Sequence, residues 1–509
     1  MEKPVHFPAL KPIKGEIMTS QTLIEARKAE EIIEKQIKEE ERPAFHLSTR
    51  AGWMNDPNGF SYYQGEYHLF YQYHPYAPYW GPMHWGHAVS KDLLHWRYLP
   101  AALAPDMPYD KDGCFSGSAL TLPDGTHLLM YTGVKREYPG RGKESQTQCL
   151  AVGDGMDYKK YEGNPVLTAA DLPEGASSVD FRDPKMFRAS DGTYRCVVGS
   201  RPADGSGQIL LYESEDAFHW RFKNVLAENK NRFGKMWECP DLFCLDGKWV
   251  LLVSPQDMLP QGFEYHNGNG TLCLIGTLDE SERFVEEHDQ AIDYGIDFYA
   301  TQTVLSEDGR RIMIAWMQNW DTCDRHNENR SWIGQTCLPR ELSIRDGRLY
   351  QEPIRELSLY RKNEVKFDGV IEGEQEIVGF SGRPAELEAE IEVPSEEFSY
   401  QKFSIQVARN EEYHTKISYR PAEGTLKLDR KFSGSRRAVI HQRRAKVAPK
   451  DGVLKLRVIL DRYSVEVFIN DGEQVMSAVI YTDLDATGMC FVSEGKTRVK
   501  ACKWDLAVR

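Results

Sequence analysis

Three acidic residues occupy the same position relative to a hairpin glycine, an arrangement that could bring three carboxylates into one site. Asp56, Asp183 and Glu238 lie nine residues before glycines at positions 65, 192 and 247. One acidic residue before a hairpin is most often a turn former. Three at one repeat register, each beside an aromatic or an Arg, are hard to explain by turn chemistry. Clustered like charges raise one another's pKa and are costly unless function retains them, so the spacing predicts a functional site.

Glycoside hydrolysis needs two carboxylates, so two of the three acids could carry out the reaction and the third could bind the substrate. In that reaction one carboxylate attacks the anomeric carbon, and the other protonates the leaving oxygen and later activates water. The nucleophile must stay ionised, which suits Asp56 beside the amide of Asn55. The acid must hold a proton near neutral pH, which suits Glu238 between an indole and a thiol. Asp183, next to Arg182, is better placed to hold substrate hydroxyls, its charge maintained by the guanidinium.

A repeated hairpin must bring these acids together. A Gly-centred turn followed by an alternating strand occurs five times, with its glycine at Gly65, Gly125, Gly192, Gly247 and Gly309. The intervals of 60, 67, 55 and 62 residues each accommodate a four-stranded blade, which predicts a five-bladed β-propeller. Because equivalent positions are related by rotation about the axis, the positions nine residues before each glycine would face one funnel. Ser116 and Ala300 complete that set.

Two short segments repeat one another outside the hairpins. Residues 90–96 and 214–220 match at Ser, Asp, His and Trp. This match predicts equivalent turns between outer strands of two blades. His95 and His219 are then structural rather than catalytic residues.

The chain differs in character on either side of the propeller. Residues 1–18 predict a loose arm. Thr22-x-x-Glu25 predicts a capping box and a helix that ends at about Glu41. The mixed charge of this helix favours a solvated face over a docked one.

Beyond Tyr360, long alternating strands predict a separate β-sandwich. The predicted fold is all-β with a short N-terminal helical extension, divided into arm and helix (1–42), propeller (43–355), linker (356–366) and sandwich (367–509).

The composition narrows the function classes. A formal charge of −14 over 509 residues argues against nucleic acid as a partner, because phosphate binding requires clustered Lys and Arg. Ten cysteines without a CxxC pair or a Cys/His metal spacing predict free thiols in a reducing compartment. The N-terminus lacks an apolar run long enough for a signal peptide or a membrane span. The sequence therefore predicts a soluble cytoplasmic protein with no membrane partner, and leaves a homo-oligomer open.

Four short motifs, taken in order, resemble those of glycoside hydrolase family 32, which contains invertases, sucrose-6-phosphate hydrolases and fructan hydrolases. They are Trp-Met-Asn-Asp-Pro-Asn-Gly at 53–59, Phe-Ser-Gly-Ser at 115–118, Phe-Arg-Asp-Pro at 181–184 and Trp-Glu-Cys-Pro at 237–240, and the likeness continues at 461–470 in the sandwich. The resemblance implies a retaining β-fructofuranosidase with Asp56 as nucleophile, Glu238 as acid/base and Asp183 as transition-state stabiliser. It implies a sugar substrate and no metal or organic cofactor.

The resemblance also implies a pocket for the fructosyl unit. Carried over position by position, its lining residues would be Asn55, Gln72, Trp80, Phe115, Ser116, Arg182, Tyr299 and Trp320. Trp316 is a weaker candidate, because it also ends a core strand. Sucrose, sucrose 6-phosphate and short fructo-oligosaccharides all stay open as substrates.

One segment bears on the choice among these substrates. In its predicted N-terminal helix and its lack of a predicted signal peptide, the chain resembles the bacterial intracellular sucrose-6-phosphate hydrolases. Within residues 321–332, Arg325, His326 and Arg330 could receive a phosphate on the glucosyl unit. The same segment could equally be a solvated loop.

Three alternative functions stay open. Other five-bladed glycosidases, such as arabinofuranosidases and xylosidases, also use three axial acids, although the Asn-Asp-Pro-Asn-Gly and Glu-Cys-Pro contexts favour fructosides. A sugar-binding module that has lost catalysis predicts the loss of at least one acid, and all three are present. A fructosyl transferase needs the same acids and differs only in whether water or a sugar receives the intermediate.

Overall fold

Five antiparallel sheets surround one axis in the computed structural model, which describes residues 19–137, 144–323, 330–434 and 440–508. The first strand of each sheet contacts the first strands of its two neighbours, and the contact between the last and the first sheet closes the ring. The predicted all-β fold with a five-bladed propeller is confirmed. Residues 1–18, predicted to form a loose arm, lie outside the described residues.

The strands of each blade follow one another along the chain. Blade I contains β1 Gly52–Tyr63, β2 Glu66–His74, β3 His84–Ser90 and β4 Trp96–Leu103. Blade II contains β5 Gly113–Thr121, β6 His127–Arg136, β7 Glu144–Gly153 and β8 Tyr158–Lys160. Blade III contains β9 Phe181–Arg188, β10 Tyr194–Ser200, β11 Gln208–Ser214 and β12 Arg221–Glu228. Blade IV contains β13 Trp237–Leu245, β14 Lys248–Pro255, β15 Leu272–Leu278 and β16 Phe284–Ala291. Blade V contains β17 Tyr299–Leu305, β18 Arg311–Trp316, β20 Arg340–Arg345 and β21 Arg348–Pro353, while β19 Trp332–Ile333 pairs in parallel with β1 and joins blade V to blade I.

The predicted hairpin glycines lie in the turns between the first and second strands of the blades. Their φ values fall between +80° and +88°, a region that side-chain-bearing residues rarely adopt. Nine residues earlier, the strand pairing of every blade slips by a β-bulge. At or next to these bulges, Asp183, Cys239 and Ala300 also have positive φ. Bulges re-aim side chains, so one backbone device is repeated at the inner end of all five first strands.

The two matching turns have the same hydrogen bonds. In the first, Leu93 N donates to Ser90 Oγ at 2.8 Å, and His95 Nδ1 lies 2.6 Å from Asp92 Oδ2. The corresponding distances in residues 214–220 are 2.9 and 2.7 Å. Both segments connect the third and fourth strands of their blades. The prediction of equivalent turns is confirmed, and in each of them the histidine bonds the Asp of its own turn.

The N-terminal helix α1 spans Gln21–Glu34, a turn and a half shorter than predicted, and a 3-10 turn follows at Glu39–Glu41. Its N-cap is Ser20 rather than Thr22, because Ser20 Oγ accepts from Leu23 N at 3.2 Å. The helix is docked and not simply solvated. Glu30 is buried against blade I, where Oε1 accepts from Arg50 Nη1 at 2.8 Å and from the Ala101 N–H at 3.0 Å.

Ten strands form the C-terminal β-sandwich. They are β22 Arg361–Gln375, β23 Ala385–Glu392, β24 Tyr400–Arg409, β25 His414–Arg420, β26 Thr425–Phe432, β27 Gln442–Lys446, β28 Val453–Leu460, β29 Ser464–Ile469, β30 Gln474–Val479 and β31 Gly488–Leu506. The long strand β31 pairs with β24 along its first half and with β23 along its second, so the sheet forks into two layers. Apolar side chains from both layers form one core.

The segment 356–366, predicted as a linker, is ordered as secondary structure. Its first part belongs to a 3-10 helix at Arg355–Tyr360 and the rest to β22, which pairs with β31. The linker prediction is corrected accordingly, because the ladder to β31 satisfies backbone groups that a free linker would leave to water.

A buried polar network joins the propeller to the sandwich. His46 lies between two sandwich acids, with Nδ1 2.8 Å from Asp461 Oδ2 and Nε2 2.9 Å from Glu466 Oε1. Arg340 of blade V donates to Glu466 Oε2 at 2.7 Å and to Asp293 Oδ2 at 3.0 Å. All five side chains are almost fully buried. The interface therefore carries compensated charge rather than apolar contacts alone.

Candidate active site

The inner ends of the first strands surround a cavity of about 600 Å³. Its lining residues are Asn55, Asp56, Gln72, Trp80, Phe115, Ser116, Arg136, Glu144, Gln146, Val179, Asp180, Arg182, Asp183, Glu238, Gln256, Asp257, Asn269 and Trp320. Four of the five bulge positions, Asp56, Ser116, Asp183 and Glu238, are among them. Every residue predicted for the three acids and the fructosyl pocket lines this cavity except Tyr299 and the weaker candidate Trp316.

Asp56 is held by donors on both carboxylate oxygens. Asn55 Nδ2 donates to Oδ1 at 3.0 Å, and Ser116 Oγ donates to Oδ2 at 2.7 Å. Asn55 is itself oriented, because Trp53 Nε1 donates to its Oδ1 at 2.8 Å. Burial and the charge of Glu238 raise the pKa of Asp56 to about 6, against the two hydrogen bonds. At neutral pH this carboxylate is therefore mostly ionised and fixed in orientation.

Asp183 lies at the corresponding bulge of blade III. Its Oδ2 accepts from the Cys239 N–H at 2.9 Å, and its own N–H donates to Thr132 Oγ1 at 3.0 Å. Burial and the charge of Glu238 raise the pKa of Asp183. Three blades thus contribute to placing this one side chain.

Glu238 is an acceptor for three donors. Arg182 Nε donates to Oε1 at 2.9 Å, and Gln256 Nε2 donates to Oε2 at 2.9 Å. The Tyr299 hydroxyl lies 2.6 Å from the same Oε2. Burial raises the pKa of Tyr299 well above its usual range, so the hydroxyl stays protonated and donates. These contacts fix the carboxylate of Glu238 in the wall of the cavity.

Arg182 does not act as the sequence predicted. The guanidinium was expected to keep Asp183 charged, but it bonds Glu238 and, through Nη1, Asp180 Oδ1 at 3.0 Å. The β-bulge at Asp183 interrupts the alternation of the strand, so both side chains line the cavity, but the hydrogen bonds of Arg182 go to other acids. The burial of Asp183 outweighs the remaining attraction of the guanidinium, and its pKa rises instead of falling.

Aromatic side chains form the rest of the predicted pocket. Trp80 meets Phe115 edge to face, with ring centroids 6.2 Å apart, and Trp320 stacks on Trp53 at 6.4 Å. Tyr299 and Trp316 are fully buried behind these residues. The prediction that Tyr299 lines the pocket is therefore wrong. Tyr299 lies behind the cavity wall and contacts Glu238.

Sequence reasoning missed Gln256, which directly contacts an acid. A signal for it existed, because the hairpin at Asp246–Gly247 pairs β13 with β14 and brings the end of β14 opposite Glu238. Gln146 was also missed. Its Oε1 accepts from the Phe181 N–H at 2.9 Å and so holds the start of β9. Nothing in the spacing of the motifs pointed to a glutamine from a different blade.

Comparison with models of known protein families identifies the family of this chain. Residues 46–353 match the model of the glycosyl hydrolases family 32 N-terminal domain, and residues 356–505 match that of the family 32 C-terminal domain. The chain belongs to glycosyl hydrolase family 32. It is a glycoside hydrolase.

Family 32 relatives cover nearly the whole chain. A raffinose invertase of Escherichia coli is 40% identical over 464 residues, which is 87% of this chain and 90% of the relative. A sucrose-6-phosphate hydrolase of Escherichia coli is 37% identical and covers 86% and 89% of the two chains. Among solved structures, a GH32 β-fructofuranosidase of Bombyx mori superposes with a TM-score of 0.81 at 36% identity, covering 96% of this chain and 99% of the other.

The structure also locates one of the residues predicted to receive a phosphate. Arg330 lies over the Tyr463 ring at 4.7 Å and the Tyr481 ring at 5.8 Å. It contacts the sandwich and does not line the cavity. Arg325 and His326 lie outside the described residues. Where the chain is described, its helices are too short or too polar to cross a membrane, and no group of His, Cys, Asp and Glu is arranged to hold a metal ion.

Proposed function

We propose that this protein is a retaining β-fructofuranosidase that hydrolyses the terminal, non-reducing β-D-fructofuranosyl bond of sucrose or a sucrose-containing sugar. The observation that carries the proposal is the convergence of Asp56, Asp183 and Glu238, from three blades, in one cavity. Named relatives support the substrate class, since they include invertases and sucrose-6-phosphate hydrolases. A variant of the Bombyx mori enzyme has been solved in complex with sucrose.

The proposed reaction begins with the ionised Asp56. Its carboxylate attacks the anomeric carbon of the fructosyl unit while Glu238 transfers a proton to the glycosidic oxygen, and the leaving sugar departs. Glu238 then takes a proton from water, which attacks the same carbon and releases Asp56. Two inversions at one carbon give net retention. Asp183 would accept hydrogen bonds from fructosyl hydroxyls that strengthen as positive charge develops on the ring.

The surrounding residues support these roles. Asn55 and Ser116 stabilise the Asp56 anion and aim its oxygens. Arg182 and Gln256 donate to different oxygens of Glu238 and so fix the orientation of its carboxyl group. Preorganised donors of this kind need no rearrangement during the reaction. Such electrostatic preorganisation is usually the largest single contribution to enzymatic rate enhancement.

The test is product analysis with sucrose and sucrose 6-phosphate side by side, comparing kcat/KM. Free fructose from either sugar is the expected result, and its first-formed anomer should be β. Products longer than the substrate, with little free fructose, would show that the enzyme is a fructosyl transferase rather than a hydrolase. Release of arabinose or xylose from aryl glycosides, with no fructose from either sugar, would overturn the proposal. The ratio of the two kcat/KM values decides between phosphorylated and neutral sugars.

A further inference from the structure

One wall of the cavity is a loop that reaches from blade IV to the sandwich. Residues 256–271 connect β14 to β15, and Gln256, Asp257 and Asn269 within them line the cavity. Gln256 bonds Glu238, the proposed proton donor to the leaving oxygen. Because the acid/base residue lies on the side of the departing sugar, this wall faces the part of the substrate beyond the fructosyl unit.

Asp321 of blade V holds the end of this loop. Its Oδ2 accepts from Asn269 N at 2.6 Å and from Asn269 Nδ2 at 3.0 Å. The preceding residue, Gly268, has φ +94°, and a Cβ added there would lie 2.2 Å from Asp321 Oδ2. The carboxylate therefore packs directly on the loop backbone. This gives a role to the start of the segment 321–332, for which the sequence left a phosphate contact and a solvated loop open.

Arg443 of the sandwich strand β27 holds the tip of the same loop. Its Nη1 lies 3.3 Å from Asn267 Oδ1, and its Nη2 lies 3.4 Å from Asn267 O. Lys446, on the same strand, lies 5.8 Å over the Phe263 ring. Burial lowers the pKa of Arg443, and the nearby charges of Asp321 and Asp297 oppose that shift. The guanidinium and the Asp321 carboxylate thus attract one another across the loop.

The rest of the loop is anchored within blade IV. Glu264 Oε1 accepts from the Tyr294 hydroxyl at 2.6 Å and from Ala291 N at 3.0 Å. The Tyr265 hydroxyl donates to Asp289 Oδ1 at 2.5 Å. These bonds would survive the loss of Arg443 or Asp321. Removing either residue should therefore loosen the cavity wall without unfolding the blade.

We propose that Asp321 and Arg443 are positioning residues for the leaving-group side of the cavity. Through them, the sandwich and blade V set how tightly the enzyme holds the sugar beyond the fructosyl unit. The inference rests on the proposed function, because it assumes that Glu238 faces the departing sugar. It assigns to the sandwich an influence on substrate choice, exerted within one chain.

Variants of the two residues test the proposal by comparing substrates that differ only in the leaving group. Asp321→Ala and Arg443→Ala should each raise KM for sucrose by about 3- to 10-fold, the loss expected for one or two hydrogen bonds. KM for methyl β-D-fructofuranoside should change less than about twofold, because methanol makes few contacts with the wall. Asp321→Asn keeps an acceptor oxygen and should recover much of the sucrose affinity. The control is Arg444→Ala, which removes the same charge from an exposed side chain of β27 and should alter neither KM.

Amide hydrogen exchange gives a second readout that does not depend on turnover. Exchange in residues 257–270 should be faster in Asp321→Ala and Arg443→Ala than in Arg444→Ala or the wild type. Unchanged exchange together with unchanged KM for sucrose would overturn the proposal. Equal changes in KM for both substrates would overturn it too, because the residues would then act on the whole site. If the unmodified enzyme releases fructose from neither substrate, the proposed function itself fails and the specificity claim falls with it.

Discussion

The protein contains two buried clusters of three carboxylates, one at the cavity and one between the domains. At the domain interface, Asp293, Asp461 and Glu466 surround two cations, His46 and Arg340. Despite burial, the hydrogen bond and charge of His46 lower the pKa of Asp461 to about 2. The pKa of Glu466 is also lowered against burial, with Arg340 as the largest favourable influence. Asp293 is the exception, because burial raises its pKa against the attraction of Arg340. Asp461 and Glu466 raise the pKa of His46 to about 9 against the effect of burial.

The cavity cluster of Asp56, Asp183 and Glu238 lacks this compensation. Among the described residues, Arg182 is the cation that directly bonds one of the three acids, and it is shared with Asp180. Burial and mutual repulsion raise the pKa of Asp56 and of Asp183. Asp461 and Glu466 are at least as buried as the cavity acids, so the lower pKa values of these two acids come from their partners. The two acids beside His46 therefore carry compensated charge, whereas Asp56 and Asp183 retain a repulsion that is typical of functional sites.

The largest predicted effect separates activity from stability at the cavity. Asp56→Asn and Glu238→Gln should each lower kcat by roughly 10⁴-fold or more, because the covalent step of the proposed mechanism then lacks its nucleophile or its proton donor. Thermal unfolding of Asp56→Asn at pH 7 should shift upward, because a carboxylate with a raised pKa destabilises the folded state when it is charged. The matched control is Asp124→Asn, in an exposed turn of blade II, which should leave kcat unchanged. Turnover near the wild-type rate in either active-site variant would contradict the assigned roles.

The interface cluster should show the reverse behaviour. Glu466→Ala leaves His46 and Arg340 without a shared buried acceptor and should cost roughly 3–5 kcal/mol of stability. Urea unfolding measures the loss, and kcat measured well below the unfolding transition should stay close to that of the wild type. Glu390→Ala removes an exposed acid of β23 as the control. A loss of kcat in Glu466→Ala without a loss of stability would remove the distinction between the clusters.

Alkaline pH should weaken the interface and leave the cavity intact. The folded pKa of His46 is about 9 and its ordinary value is 6.5, so its stabilising contribution is complete below pH 6.5 and is lost as pH rises through about 9. The Tm of the wild type should therefore fall over this window. His46→Gln should have a lower Tm at pH 6.5 and a flatter dependence up to pH 9. Parallel Tm curves for the two proteins would show that His46 is not charged at neutral pH.

The smallest predicted effect concerns the pH dependence of activity. The acid limb of kcat/KM should lie near pH 6, where Asp56 becomes protonated. Ser116 donates to Asp56 and so lowers its pKa. Ser116→Ala should therefore move the acid limb to higher pH as well as reduce kcat several-fold. An acid limb that stays in place would mean that another group controls it.

The sequence contained enough information to predict the convergence of the three cavity acids but not to predict their hydrogen-bond partners. The three acids each lie nine residues before a hairpin glycine. In a propeller, equivalent positions of the blades lie at the same distance from the central axis. The partners of Glu238 come from β9, the end of β14 and β17. Their identity depends on bulges and on side-chain direction, which the repeat does not encode. Arg182 illustrates the limit, because its neighbour in sequence is not its partner in space.

The interface cluster could not be predicted at all. His46 and Asp461 are separated by 415 residues, and neither belongs to a repeat shared with the other. The same holds for Asp321 and Arg443, which meet only across a loop of a third element.

The amino-acid sequence alone therefore determined the blade count, the three converging acids and the family, since these depend on local turn chemistry repeated at regular intervals. Only the tertiary structure decided which charges are compensated. Compensation depends on burial and on distances between side chains from different blades and domains, and a carboxylate's pKa follows from those surroundings rather than from its sequence context.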